Sequence, residues 1–218
     1  MNNMLNIKDK VEEVLNYLDI LFPNARCELN YNKDYELLIA IVLSAQATDK
    51  SVNKVTPILF NKYKTIEELA DAPIEDIEQI IRSIGTYKKK SNFIKNIATS
   101  LVKDYNGKVP NDRKYLESLS GVGRKTVNVF LSEYYCIPAI AVDTHVERVS
   151  KRLKITNPNA SVTEVEQSLM RKVPKDRWIK THHQLIFFGR YHCKAINPNC
   201  CDCKLKHICA YFQKKNNN

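Results

Sequence analysis

Glycine is scarce in this chain, with five in 218 residues, where about fifteen would be usual for the length. Flexible glycine-rich linkers and low-complexity connectors are thereby excluded, so any two domains must share helices or pack tightly. Long apolar runs are also missing. No stretch approaches the roughly twenty apolar residues of a membrane span, and the start, Met1 to Lys10, is polar with no apolar signal core. The expected location is the cytoplasm, nucleoid-associated if the source is bacterial. Acidic residues are outnumbered, 24 against 34 Lys plus Arg, for a net charge of +10. Such an excess favours a polyanionic partner, with nucleic acid the leading candidate. No repeat of fixed period is present, and 44% apolar residues suffice for one sizeable core or two small ones.

Apolar residues recur at helical spacing through almost the whole chain, beginning with Val11, Val14, Leu15 and Leu18 and continuing in a run from Leu37 to Leu43. Helices are predicted near 50–63, 66–72, 74–83, 88–104, 124–135, 144–154, 162–173 and 176–190. Start and stop signals fit: Thr48 and Asp49 open one helix, Pro73 precedes another, Gly85 follows Ile84, and Gly107 with Pro110 separates the next. Ile137 to Val142 remains as a short extended piece, and the tail Lys214 to Asn218 reads as a frayed end. The fold class is all-α.

Two of the five glycines fall in one turn, Ser120-Gly121-Val122-Gly123-Arg124-Lys125-Thr126, which follows Leu116 and Leu119. An apolar helix end, a tight turn and a new helix start make a helical hairpin. Glycines let the turn's N–H groups come close to a phosphate, while Val122 tucks inward as an anchor. A basic chain with this feature is expected to hold the DNA backbone through Gly121, Val122, Gly123 and Arg124 without reading sequence there. Lys125 falls in the first helical turn, where the positive end of the helix dipole favours the neutral amine. A neutral lysine amine suits Schiff-base chemistry, although phosphate pairing is the commoner use of a lysine in this place. About eighteen residues on, Asp143 stands at the mouth of a helix marked by Thr144 and Glu147 as a capping box. It can cap that helix, or act as a carboxylate that steadies positive charge on a sugar. His145 lies beside it, whereas His182 and His183 fall in an apolar helix and are expected to pack.

Cys193, Cys200, Cys203 and Cys209 are spaced C-x6-C-x2-C-x5-C in a segment rich in Asn, Pro and Lys. Four soft thiolates so close together indicate a metal site, and spacing alone leaves zinc and a 4Fe-4S cluster both open. Disulfides fit poorly in a chain with no sign of export. Cys201 is an extra thiol inside the run, and Cys27 and Cys136 read as buried thiols.

The hairpin Leu119 to Thr126, the Val142-Asp143-Thr144-His145 segment, the Leu43-Ser44-Ala45-Gln46-Ala47-Thr48-Asp49 segment and the terminal cysteines, in this order, resemble the endonuclease III family of helix-hairpin-helix DNA glycosylases. The resemblance covers nearly the whole chain. It implies a six-helix barrel domain over 27–137 carrying the helix-hairpin-helix, a cluster domain formed by 1–26 with 138–218, and a DNA-binding cleft between them. It implies a 4Fe-4S cluster on Cys193, Cys200, Cys203 and Cys209, with Cys201 outside the ligand set. It also implies base-excision repair by a bifunctional enzyme, acting as a monomer on double-stranded DNA that contains damaged bases or abasic sites. Lys125 matches the family's nucleophile and Asp143 its catalytic carboxylate, for removal of oxidised pyrimidines and strand cleavage by beta-elimination. Gln46 matches the residue inserted where the flipped nucleotide leaves a gap. Thr86 stands where relatives often place a larger apolar wedge. The loop Lys194 to Asn199 has one basic residue where relatives tend to have several, a loss that Lys88, Lys89 and Lys90 are placed to offset, although a solvated charge run is the default reading of such lysines.

Overall fold

A computed structural model describes residues 6–216; the first five residues of the polar start, and Asn217 and Asn218 of the tail, lie outside it. The helices in chain order are α1 (Ile7–Leu21), α2 (Asp34–Ser44), α3 (Asp49–Lys62), α4 (Ile66–Asp71), α5 (Ile74–Ile80), α6 (Tyr87–Tyr105), α7 (Arg113–Ser118), α8 (Arg124–Tyr134), α9 (Thr144–Arg152), α10 (Val162–Lys172), α11 (Trp178–Phe187) and α12 (Ala210–Asn216). No strand occurs among the described residues, so the protein is all-α. No described helix is long and apolar enough to cross a membrane. The chain forms two compact units, Glu28–Cys136 and a second made from the segment ending at Cys27 with the segment beginning at Ile137.

The Glu28–Cys136 unit is built around α2. Every residue from Tyr35 to Leu43 is buried, which explains why this run is apolar on all sides rather than along one stripe. Around it pack α3, α6 and α8, whose buried residues follow the helical period. Thr48 caps α3 through the Ser51 N–H, and Thr65 with Glu68 forms a capping box at α4. α5 ends at Ile80, short of the predicted 83, because Ile81 and Ile84 are both buried and the chain turns between them to keep them inside. At the far end of α6, Asn106 and Gly107 both take positive φ, and a side chain at 107 would meet Ile66 at 2.7 Å.

In the second unit, α1 supplies Val11, Val14, Leu15 and Leu18 to a core shared with Val146 and Val149 of α9, Val165 and Leu169 of α10, and Leu185 and Phe188. Asp143, not Thr144, caps α9, so the predicted Thr144/Glu147 box is corrected. One Asp143 oxygen takes two N–H groups, and Glu147 instead pairs with Lys151 at 2.6 Å. The predicted helix at 176–190 is three segments: a 3-10 turn at Lys175–Arg177, then α11, then a π-helical turn at Phe188–His192. The described part of the tail is helical through Asn216 rather than frayed, with Tyr211 and Phe212 packed on the core and Gln213 bonded by Lys154. The start of the chain is tied to this unit through Asp19, which accepts from Arg177 and Gln184 and pairs with Lys180 at 2.7 Å.

Burial pushes the Asp19 carboxyl up, but hydrogen bonds from Lys180 and Gln184 and the charges of Arg177 and Lys180 outweigh it and hold it below the ordinary value. A depressed folded-state value stabilises the protein above the unfolded carboxylate range and is lost as pH falls through the folded value. Asp19→Asn is therefore expected to cost about 1 kcal/mol at neutral pH, the partly exposed pair being screened by solvent. Urea melts at pH 7 and pH 3 check this: the difference from wild type should shrink at the lower pH.

Candidate active site and metal centre

The predicted hairpin consists of α7, a five-residue turn and α8. Arg113 of α7 donates to Asn128 of α8 at 2.8 Å, bracing the pair. Gly121 has φ +80, and a Cβ there would lie 2.3 to 2.8 Å from the Phe93 ring, so both backbone and packing demand glycine. Gly123 is different. Its φ of −101 suits any residue, and nothing lies within 4 Å of the position its Cβ would take. What glycine leaves at 123 is open space over the start of α8, whose first-turn N–H groups receive no side-chain cap. An anion fits such a place. Val122 is buried, as predicted, and its N–H is already bonded to Leu119 O. Arg124 and Lys125 are exposed in the first turn of α8.

Two further exposed residues in the same unit occupy left-handed backbone: Gln46 at φ 56, between α2 and α3, and Thr86 at φ 58, at the N-cap of α6. For residues other than glycine this conformation costs on the order of 1 kcal/mol or more and clusters at functional sites. Thr86 gives its hydroxyl to Gly85 O at 2.6 Å. Lys88 and Lys89 are exposed, as a solvated run predicts, but Lys90 is not. It is 4% exposed, and its ammonium donates to Leu43 O at 2.9 Å and Ala45 O at 2.6 Å. Only two of the three lysines are thus placed to meet a phosphate.

In the other unit, Asp143 is half-buried, with Oδ1 held by the N–H groups of His145 and Val146. The capped helix α9 then reaches the cysteine segment through two arginines that sequence reasoning missed. Arg148 donates to Gly189 O at 2.7 Å and Cys193 O at 3.2 Å. Arg152 donates to Lys194 O at 2.7 Å and Ala195 O at 3.1 Å, lies 3.4 Å from Cys193 Sγ, and stacks over the Tyr211 ring at 4.0 Å. The π turn delivers the first cysteine, since Cys193 N bonds Phe188 O five residues back. A Cβ on Gly189 would meet His145 at 2.7 Å, so glycine allows this turn to pack against α9.

Cys193, Cys200, Cys203 and Cys209 line one cavity, with Leu153, Phe188 and Tyr211 among its walls and Cys201 outside it. Among the described residues no three His, Cys, Asp or Glu side chains are grouped closely enough to hold a metal ion. All four are soft donors that line the same cavity, a set that suits zinc or an iron-sulfur cluster. Burial pushes the Cys203 thiol up to about 11, a backbone hydrogen bond from Leu205 opposing and the neighbouring thiols adding to it. Two other cysteine expectations are corrected: Cys27 is only half-buried and Cys136 is exposed, because Cys136 takes φ 54 where the chain leaves α8. His182 and His183 are buried in α11, as expected of packing residues.

The structure thus groups Gln46, Thr86, Gly121, Val122, Gly123, Arg124 and Lys125 in the Glu28–Cys136 unit, and Asp143 with the four cysteines in the other. Residues 39–175 match the HhH-GPD superfamily base excision DNA repair protein family. Endonuclease III of Bacillus subtilis (strain 168) is 52% identical over 212 residues, covering 97% of this chain and 96% of the relative. A solved trapped endonuclease III–DNA covalent intermediate, an estranged-adenine complex, superimposes with a TM-score of 0.93 at 51% identity, covering 97% of this chain and 99% of that one. A non-covalent endonuclease III–DNA complex gives 0.94 at 51% identity, covering 99% and 100%. The chain belongs to the endonuclease III family of the HhH-GPD superfamily of base excision DNA repair proteins, and is a DNA glycosylase and abasic-site lyase.

Proposed function

We propose that the Lys125 amine is the nucleophile that releases an oxidised pyrimidine from double-stranded DNA and then cleaves the abasic strand. The observation that carries this is the exposed lysine in the first turn of α8, two residues after a glycine that leaves open space and no side-chain cap at the helix start. Phosphate neighbouring the target nucleotide sits at that start, held by the positive helix end.

The damaged nucleotide must leave the base stack for its C1' to be reached. Lys125 Nζ bonds to C1', the glycosidic C–N bond breaks, and the base departs with the bonding electrons and a proton. Opening of the sugar gives the imine. Loss of a proton from C2' then expels the 3' phosphate, and water releases the lysine. Asp143 assists by steadying the positive charge that develops on the sugar and by carrying protons. Its Oδ1 is occupied by α9, so Oδ2 serves that role. Gln46 fills the gap left by the flipped nucleotide and bonds the orphaned base; Thr86 acts as a wedge smaller than that of many relatives.

Cys193, Cys200, Cys203 and Cys209 hold a 4Fe-4S cluster in this reading, supported by the donor set and the shared cavity. When bound, it supplies metal–thiolate bonds that fix the segment already gripped by Arg148 and Arg152. The enzyme acts as a monomer on chromosomal DNA in the cytoplasm.

Two predictions test the reading. Lys125→Gln should lower cleavage of a thymine glycol duplex on the order of a thousandfold or more while gel-shift affinity for the same DNA stays near wild type; equal cleavage by both proteins would remove Lys125 from the role. The hairpin glycines should separate stability from binding. Gly121→Ala is expected to cost about 1–3 kcal/mol in thermal melts, through strain and the Phe93 clash. Gly123→Ala should leave stability within about 0.5 kcal/mol and weaken DNA binding severalfold, because the new methyl occupies the phosphate's approach. Unchanged binding by Gly123→Ala would contradict a phosphate at this turn.

A further inference from the structure

Helix α6 begins at one left-handed turn and reaches back to the other. Thr86, with φ 58, is its N-cap; Lys90, in the following turn, donates its backbone N–H to Thr86 O at 3.1 Å. The Lys90 side chain runs inward and its ammonium bonds Leu43 O and Ala45 O, the carbonyls at the end of α2 immediately before Gln46, with φ 56. Ala47 N adds a bond to Ser44 O at 3.1 Å. A buried ammonium facing carbonyls rather than a carboxylate is costly to hold, and burial lowers its pKa from the ordinary lysine value. Strained backbone persists only where its surroundings over-determine it, and at Gln46 the surroundings include a cation bonded to the last carbonyls of the preceding helix.

We infer that Lys90 is a positioning residue for strand insertion, locking the Gln46 and Thr86 turns into one rigid pair so that both side chains enter the duplex in register. The inference rests on the reading of those two turns as the DNA-inserting ones. A structural role shared by any buried lysine does not account for the placement alone. Lys95 supplies the comparison: it lies on the same helix and donates to Ala70 O at 3.1 Å and Ala72 O at 2.6 Å. That is the same chemistry, applied to the end of α4, where neither inserting turn is involved.

The test compares Lys90→Met with Lys95→Met in single-turnover cleavage of two substrates: a duplex with one thymine glycol, and a single-stranded oligonucleotide with one abasic site. The second has no partner base to fill a gap for and no stack to wedge. Lys90→Met should slow the duplex reaction about tenfold to a hundredfold, the scale of a small misplacement of positioning groups, while single-strand cleavage stays within about twofold. Lys95→Met should keep the wild-type ratio of the two rates, whatever it does to the melting temperature. If Lys90→Met does not fold, Lys90→Arg, which keeps the charge but replaces the compact ammonium with a longer planar group, should show a smaller loss on duplex only. Equal slowing on both substrates, or an unaltered duplex rate, would overturn the inference. Wild type that cleaves single-stranded abasic DNA but not the thymine glycol duplex would instead fault the parent reading of the substrate, and the inference with it.

Discussion

The Phe93 ring lies where a side chain at residue 121 would stand, and the presentation of Lys125 depends on that contact. With the ring in place the turn closes at φ +80, Val122 is buried, and Gly123, the N-cap of α8, is set two residues before the lysine. Phe93 belongs to α6, which also starts at the Thr86 turn and holds the Gln46 turn through Lys90. One helix therefore braces three exposed features that the proposed chemistry uses.

The second unit applies the same economy to Asp143. One carboxylate oxygen caps α9 and fixes the side chain, which leaves the other for chemistry, so the capping and catalytic readings are compatible rather than competing. α9 passes that order on: its two arginines hold the backbone from Cys193 to Ala195, and the π turn sets the first cysteine. Arginine suits both places because its planar fork bonds several carbonyls at once and stacks on Tyr211. The thiols thus lie in a segment shaped from outside as well as by whatever they bind.

Much of this was legible in the sequence. Helical period revealed most helices, since one apolar stripe per helix is what a packed bundle requires, and the paired glycines marked the hairpin in a chain with so few. The misses have physical causes. Lys90 sits in a run of three lysines, and no local pattern tells which of them faces inward; that depends on carbonyls forty-five and forty-seven residues away. Thr144 and Glu147 have capping-box spacing, but the box requires the threonine outside the helix, and Asp143 takes that position, one carboxylate oxygen accepting from the N–H groups of His145 and Val146. Cys136 reads as a small apolar residue, yet it falls at a helix exit in left-handed backbone, where the chain emerges to solvent. Arg148 and Arg152 gave a signal only in retrospect: two arginines four apart on a helix that bonds the cysteine segment.

The most direct test of the central claim is to find where the sugar attaches. The wild-type protein is trapped on a thymine glycol duplex with borohydride, the adduct is digested with nuclease and protease, and the modified peptide is sequenced by mass spectrometry. The account predicts the reduced sugar on Lys125. Attachment to another lysine or to the N-terminal amine would contradict it.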